Sequence, residues 1–300
     1  MIVINNISDR QNEIELLRIQ FCARHLYDVA SILNKFAWIC CLFTTIVLPF
    51  FSGAIGDLKY VIVAIINVVA LAIGFLSSRF VKLGAAYKMC FDYKLFQFEE
   101  RETYNGFSAG YLRQVVAKII KRYHKRYNEA VSHNGTDKPN GVKDWYVEIS
   151  KDMRKEEAIK KCQEQNGFFD KEIMKIAWWV FVGLVSIFII VFVILNQANS
   201  VGATSICVFS SSALVIMIIT EIYKYVKVYS TYYFIDSVKD EPNISSLTRQ
   251  KIIDERRNLN LITPKIIYKI KPKLFTPVPD NGLNTRKTLI KMKNRLSPKR

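Results

Sequence analysis

Apolar residues along this chain gather in four blocks instead of recurring at a helical or strand period. The last two blocks are the clearest. Ile176 to Leu195 runs for twenty residues without a charge and Ala203 to Thr220 for eighteen, separated by the seven-residue polar turn Asn196 to Gly202. Nearer the N-terminus, Phe36 to Ile55 and Tyr60 to Ser78 repeat the arrangement around a break at Gly56 to Lys59. About 20 apolar residues in a helix match the ~30 Å hydrocarbon core of a bilayer. A helix also satisfies its own backbone polar groups, which lipid cannot do. The pattern predicts an all-α membrane protein with four transmembrane helices as two hairpins, 36–78 and 176–223, and a mainly helical cytoplasmic domain.

The segments between the blocks carry their own signals. Residues 1–35 read as an N-terminal helix, 79–175 as the cytoplasmic domain, 224–270 as C-terminal helices and 271–300 as a flexible, basic, proline-containing tail. Ser8 to Gln11 has the spacing of a capping box, and no Pro or Gly follows until Pro49, so one helix is expected from Asp9 into the first span. On it Leu16, Ile19, Ala23, Leu26, Ala30 and Leu33 recur at spacings of three and four. That seam serves either self-association or packing within the chain. Ser108 is placed to cap a helix from Ala109 to Glu129 whose later half is basic: Lys118, Lys121, Arg122, Lys125 and Arg126 alternate with apolar and aromatic positions. Such a helix is either a solvated face or a surface for anionic lipid or an anionic ligand. A helix from Lys151 to Gln165 is expected to bend or end at Asn166-Gly167, with Asp170 capping the next one; Ser245 or Ser246 starts a last helix that Pro264 stops.

Charge adds the topology. The chain carries 43 Lys and Arg and a formal net charge of +17. Four of these cations precede Phe36, one lies in the first hairpin turn, 20 lie from Arg79 to Lys175, none lies in the second turn and 18 follow Tyr223. Lys and Arg collect on the cytoplasmic side of a membrane protein, so both turns face outward and both termini face the cytoplasm. Topology and anionic headgroups account for the basic excess without a nucleic-acid polymer as partner.

The chemistry of enzymes is missing from the motifs. No phosphate-binding loop, nucleophile elbow, dinucleotide fingerprint or HExxH occurs, and the three histidines His25, His124 and His133 have no partner at metal-ligand spacing. The six cysteines show no paired spacing. No catalytic residue, metal site or cofactor is therefore expected. Within the spans the polar positions include Asn67 and a helical stripe of Ser205, Ser212 and Thr220. This set either lines water in an oligomeric pore or makes ordinary helix–helix contacts.

Several motifs in order resemble one family. They are Arg10-Gln11-Asn12 before a helix with Tyr27 and Ala30; Ala85-Ala86, Phe91-Asp92 and Leu95-Phe96 after the second span; Asp144-Trp145-Tyr146; and Cys162-Gln163 with Asn166 and Asp170 before the third span. Gln250, Arg256, Pro264 and Tyr268 look like its C-terminal pattern. Together they resemble the SMODS-associated 4TM family of pore-forming effectors in bacterial nucleotide-signalled anti-phage systems, over residues 8 to 270. Lys88-Met89, Glu164 and Phe169 depart from it, where a Gln-Glu pair, a basic residue and Trp are usual. The resemblance implies a homo-oligomer in the bacterial inner membrane that permeabilises it on a signal, from a cyclic oligonucleotide or a nucleotide-sensing partner protein. It also implies that Arg10, Gln11, Asn12, Asp92, Asp144, Trp145, Tyr146, Gln163, Asn166, Asp170 and Arg256 build the sensing domain. The competing reading is a membrane-anchored binding or scaffold protein whose basic domain is held at the inner leaflet.

Overall fold

The computed structural model describes residues 5–48, 56, 58–135, 137, 139–147, 149–196, 201–237, 244–259 and 261; of 167–173, 175, 191, 194–196, 201–207 and 235–237 it describes the backbone alone. Helix dominates it. The elements are α1 (Ile7–Arg10), α2 (Ile14–Leu42) running into a π-turn (Phe43–Val47), α3 (Leu58–Phe96), a hairpin of β1 (Thr103–Tyr104) and β2 (Phe107–Ser108), α4 (Ala109–Arg122), α5 (His124–Ser132), α6 (Lys155–Asn196), α7 (Val201–Ser237) and α8 (Ser246–Asn258).

Among the described residues three helical stretches are long and apolar enough to cross a membrane: Ile14–Val47, Leu58–Phe96 and Val208–Phe234. Residues Ile176–Ile190 form a shorter apolar stretch inside α6, whose further side chains toward Asn196 are only partly described. The expected third span therefore appears as a helix of the right continuity but a shorter described apolar run.

The N-terminal seam packs within the chain. Leu16, Ile19, Ala23, Leu26 and Ala30 are buried, and Leu33 is partly so. Their partner is α3, which runs antiparallel beside α2: Ser77 Oγ donates to Ala30 O at 2.8 Å, Lys88 Nζ to Gln20 Oε1 at 2.8 Å and Arg10 Nη2 to Lys94 O at 2.8 Å. The two seam alanines let the helices approach closely, and so does Gly84, where an added Cβ would stand 3.3 Å from the Tyr27 ring.

Six local expectations change. The capping box does not form. The Gln11 N–H donates to Ile7 O at 3.0 Å, and the Gln11 side chain is taken by the backbone of Tyr146. The chain consequently turns between α1 and α2 instead of continuing as one helix from Asp9. The helix begun at Ser108, whose Oγ accepts from Tyr111 N at 3.2 Å, breaks at Tyr123, where the ring turns against His25 with centroids 4.2 Å apart. In contrast, α6 passes unbroken through Asn166-Gly167, since a mid-helix glycine costs only about 1 kcal/mol. Asp170 therefore lies inside that helix and caps nothing, and its side chain falls outside the described residues. Finally, α8 starts as expected, with Ser245 Oγ accepting from Thr248 N at 3.2 Å, but ends at Asn258; Pro264 lies outside the described residues.

Two of the core regions bear on the site. One lies where α2 and α3 leave the apolar blocks, built on Leu16, Phe21, Tyr87, Phe91, Phe96 and Tyr146 with α4, α5 and the start of α6 around it. The other joins the apolar stretches through Ala37, Cys41, Ala70, Ala213, Leu214 and Met217. Small residues at such a crossing permit close van der Waals contact, the main attraction between helices in lipid. In the loop after α5, Gly141 approaches the His133 carbonyl so closely that no side chain fits there, which lets Val142 N donate to Ala130 O at 2.9 Å.

Candidate functional site

The first core region contains a buried polar network centred on Asp92 of α3, whose side chain is 1 % exposed. Its carboxylate receives three donors. Tyr146 Oη donates to Oδ1 at 2.8 Å, while Gln250 Nε2 and Arg257 Nη2 of α8 donate to Oδ2 at 3.2 and 2.7 Å. Asn166 Nδ2 of α6 donates in turn to Tyr146 Oη at 2.7 Å. Gln163, one turn earlier, donates to Ser246 O at 2.8 Å and Gln250 Oε1 at 3.2 Å. Asp254 extends the network: Gln250 reaches its Oδ1 at 3.1 Å, Arg257 stands 3.6 Å away and Arg101 3.4 Å away.

Two carboxylates thus share one buried guanidinium. Burial pushes the Asp254 carboxyl up from its ordinary 3.8 to about 6, against the pull of Arg257, and the neighbouring Asp92 raises it further. Removing charges from water costs several kcal/mol per ion, so such a cluster holds only while every member keeps its partners. Apart from the contacts of Asp254 with Gln250 and Arg257 inside α8, each bond joins different segments. The network therefore registers the relative positions of α3, α6, α8 and the loop before α6.

A second layer braces that loop. Gln11 clamps the Tyr146 backbone in both directions, accepting from its N at 2.8 Å and donating to its O at 3.2 Å. Asn12 does the same for Asp144, accepting from its N at 3.0 Å and donating to its Oδ1 at 2.8 Å. Asp144 needs this support, because its φ of 50° lies in the left-handed region that costs an L-residue energy. Trp145 lies under Lys88 Nζ, 3.6 Å from the ring centroid. Lys88, one of the departures from the family pattern, thereby gains a cation–π contact. Arg10 sits at the edge, with Nε 3.8 Å from Glu13.

Of the sensing-domain candidates singled out in the sequence, Asp92, Tyr146, Gln163 and Asn166 enter the Asp92 network, while Gln11, Asn12, Asp144 and Trp145 form its brace. Arg256 does not join: its guanidinium lies 5.7 Å from the Tyr232 ring centroid. The neighbouring Arg257 takes the buried place instead. Sequence reasoning also missed Asp254, and Gln165, which pairs with the Val147 backbone at 2.6 and 3.3 Å. A signal was present in Gln250, Asp254 and Arg257, whose spacings of four and three put them on one face of α8.

The intramembrane candidates separate. Asn67 is buried between helices, where Thr44 Oγ1 lies 3.1 Å from its Oδ1 and its Nδ2 is 3.4 Å from Phe209 O. Ser212 and Thr220 are exposed on α7, each bonding back to its own helix, to Phe209 O at 2.9 Å and Ile216 O at 2.7 Å. Asn67 consequently shares no face with them. The Ser205 side chain lies outside the described residues.

The family model for the SMODS-associating 4TM effector domain matches residues 5–227. The chain belongs to this family. No curated protein and no solved structure matches it. The matched part of this 4TM effector contains Asp92, the loop and the start of α6, whereas α8, which supplies Gln250 and Arg257, lies beyond it. A cleft of about 130 Å³ opens between α2, α3 and α4, lined among others by Glu15, Arg18, Lys94 and Arg113. Its Lys94 is already held by Glu15 at 3.1 Å and Glu100 at 2.6 Å. Pockets for drug-sized ligands run to about 300–1,000 Å³. That cleft is too small to enclose a nucleotide.

Proposed function

We propose that this 4TM effector permeabilises the bacterial inner membrane during nucleotide-signalled anti-phage defence. In this reading it works as a homo-oligomer, with four spans in two hairpins and with both termini and the basic domain in the cytoplasm. The observation that carries the reading is the continuity of α3. One 39-residue helix runs through the second apolar block and ends at the buried Asp92 network, with no loop between them. A signal that shifts the network, whether a cyclic oligonucleotide or a nucleotide-sensing partner protein, moves the span as a lever.

Close packing at Ala37, Cys41, Ala70 and Ala213 between α2, α3 and α7 supports an aqueous path between protomers over one within a protomer. The test is membrane depolarisation in cells that express the chain with and without a cyclic-oligonucleotide-producing nucleotidyltransferase. Signal-dependent depolarisation is expected. If the chain is well inserted and cells stay polarised with the nucleotide present, the membrane-anchored binding protein is the better reading; the exposed basic surface of α4 and α5 favours it.

A further inference from the structure

We infer that α4 and α5 form a docking surface for anionic phospholipid headgroups, holding the cytoplasmic domain against the inner leaflet. The inference rests on the membrane-spanning part of the preceding reading and not on the pore.

The charge is one-sided. Between Ala109 and Asn128 there are six Lys and Arg and no Asp or Glu. Lys118, Lys121, Arg122, Lys125 and Arg126 are all exposed, and none of them forms an ion pair among the described residues. The opposite face of the same helices is apolar, with Leu112 buried and Val115, Val116, Ile119, Tyr123 and Tyr127 packed on the core. The cations are therefore fixed outward by the packing of their neighbours.

Height decides the partner. The Ser77–Ala30 hydrogen bond marks where α2 and α3 stand level, one residue before the second apolar block ends at Ser78. Lys82 lies five residues beyond Ser77 and His25 five residues before Ala30, so both stand roughly 7–8 Å below that mark at 1.5 Å per residue. The chain entering α4 is tied at Lys82: Asn105 Nδ2 donates to Lys82 O at 2.9 Å, and Lys82 Nζ is 6.0 Å from the Phe107 ring centroid. The other end of α4 is tied at His25 through Tyr123, 4.2 Å between centroids. Between them Tyr87 Oη, ten residues and about 15 Å beyond Ser77, donates to Leu112 O at 2.8 Å, so α4 rises toward the membrane and its turn into α5 at Tyr123, flanked by Lys121, Arg122 and Lys125, is its nearest part. His25 feels the surface too: burial first, then Arg126 and Arg122, hold its pKa below the ordinary 6.5.

The gap is roughly 7–8 Å below the mark on α3 and about 16 Å below Phe36 on α2, where the first apolar block begins; the headgroup layer occupies about 5–7 Å of it and a Debye length at physiological salt about 8 Å more. An anionic leaflet attracts each cation there by about 1 kcal/mol, which is roughly fivefold per residue.

The full-length chain is reconstituted in nanodiscs of phosphatidylcholine, with or without phosphatidylglycerol. Acetylation of single lysines is then followed by mass spectrometry. Lys118, Lys121 and Lys125 are expected to react about fivefold more slowly in the anionic discs, and the difference should vanish in high salt. Lys151, paired with Asp9 at 2.7 Å beyond the far end of α2, serves as the internal control and should not change. In Lys121→Glu/Lys125→Glu, at exposed positions that leave the fold intact, protection of Lys118 should be lost. Equal lysine reactivity in both kinds of disc overturns the inference while leaving the spans in place; failure of the chain to enter discs overturns the membrane reading itself. Protection by an added single-stranded oligonucleotide, with none from anionic lipid, also overturns it and makes the surface a nucleic-acid site.

Discussion

Arg257 and Arg256 are adjacent, equally charged and unequal in what they hold. Arg257→Ala leaves Asp92 and Asp254 buried together without their shared cation. Breaking a buried pair in this way costs about 3–5 kcal/mol. Arg256→Ala leaves the Asp92 network whole and should cost less, the contact with Tyr232 accounting for about 0.5–1 kcal/mol of it. Thermal unfolding of the purified variants in detergent should rank them in that order; equal losses would mean that α8 does not dock on Asp92. The acid side gives a second expectation. Folding raises the Asp254 pKa from 3.8 to about 6, so the folded state binds the extra proton between those values. Asp254 thus contributes stability that is fully present below pH 3.8 and is lost as pH rises through about 6. Asp254→Asn keeps the shape without the charge, and should flatten that window and raise the melting temperature at pH 7.5. An unchanged pH profile would contradict the burial of this carboxyl.

Among the helices, α2 offers a paired test. Leu26 is 4 % exposed in the seam, and Leu26→Asp exchanges apolar packing for an unpaired buried charge. Loss of the fold, or of about 3 kcal/mol or more, is expected. Arg24 lies off the seam, where the sequence suggests a mild effect. The structure gives it a task, since Nη1 donates to Asn140 O at 2.7 Å and Gly141 O at 3.1 Å. Arg24→Asp should therefore cost about 1.5–3 kcal/mol, less than Leu26→Asp but well above a surface change, and loosen the loop after α5 in hydrogen exchange. The seam itself was readable from spacing alone, because antiparallel helices bury one stripe. Its partner was not, because a stripe of Leu, Ile and Ala fits a second copy and α3 equally well.

For the whole molecule, the exposed position of Ser212 sharpens the pore experiment. Ser212 is exposed and bonds only within its own helix turn, so Ser212→Leu should leave folding and insertion unchanged. If that face lines water between protomers, the apolar substitution favours dewetting, and signal-dependent depolarisation should fall at equal oligomer yield. A fall in crosslinked oligomer instead would mark the face as a contact between helices. Topology has its own check: a reporter after Arg300 should read cytoplasmic and one at Asn199 outside, and the reverse would overturn the hairpins.

The apolar blocks, the cation distribution and the ordered motifs were enough to recognise the family and a helical membrane protein, because burial in lipid imposes length and charge rules on a single segment at a time. The caps at Ser108 and Ser245 were equally local. The network at Asp92 was not, since it draws on Asp92, Tyr146, Asn166, Gln250 and Arg257, whose partners lie up to 165 residues apart in the chain. Whether Gln11 caps its own helix or clamps Tyr146, and whether Arg256 or Arg257 turns inward, depends on which donor meets a buried acceptor once the helices have packed. A buried polar group must find its partner wherever the chain supplies one, and that choice belongs to the tertiary structure.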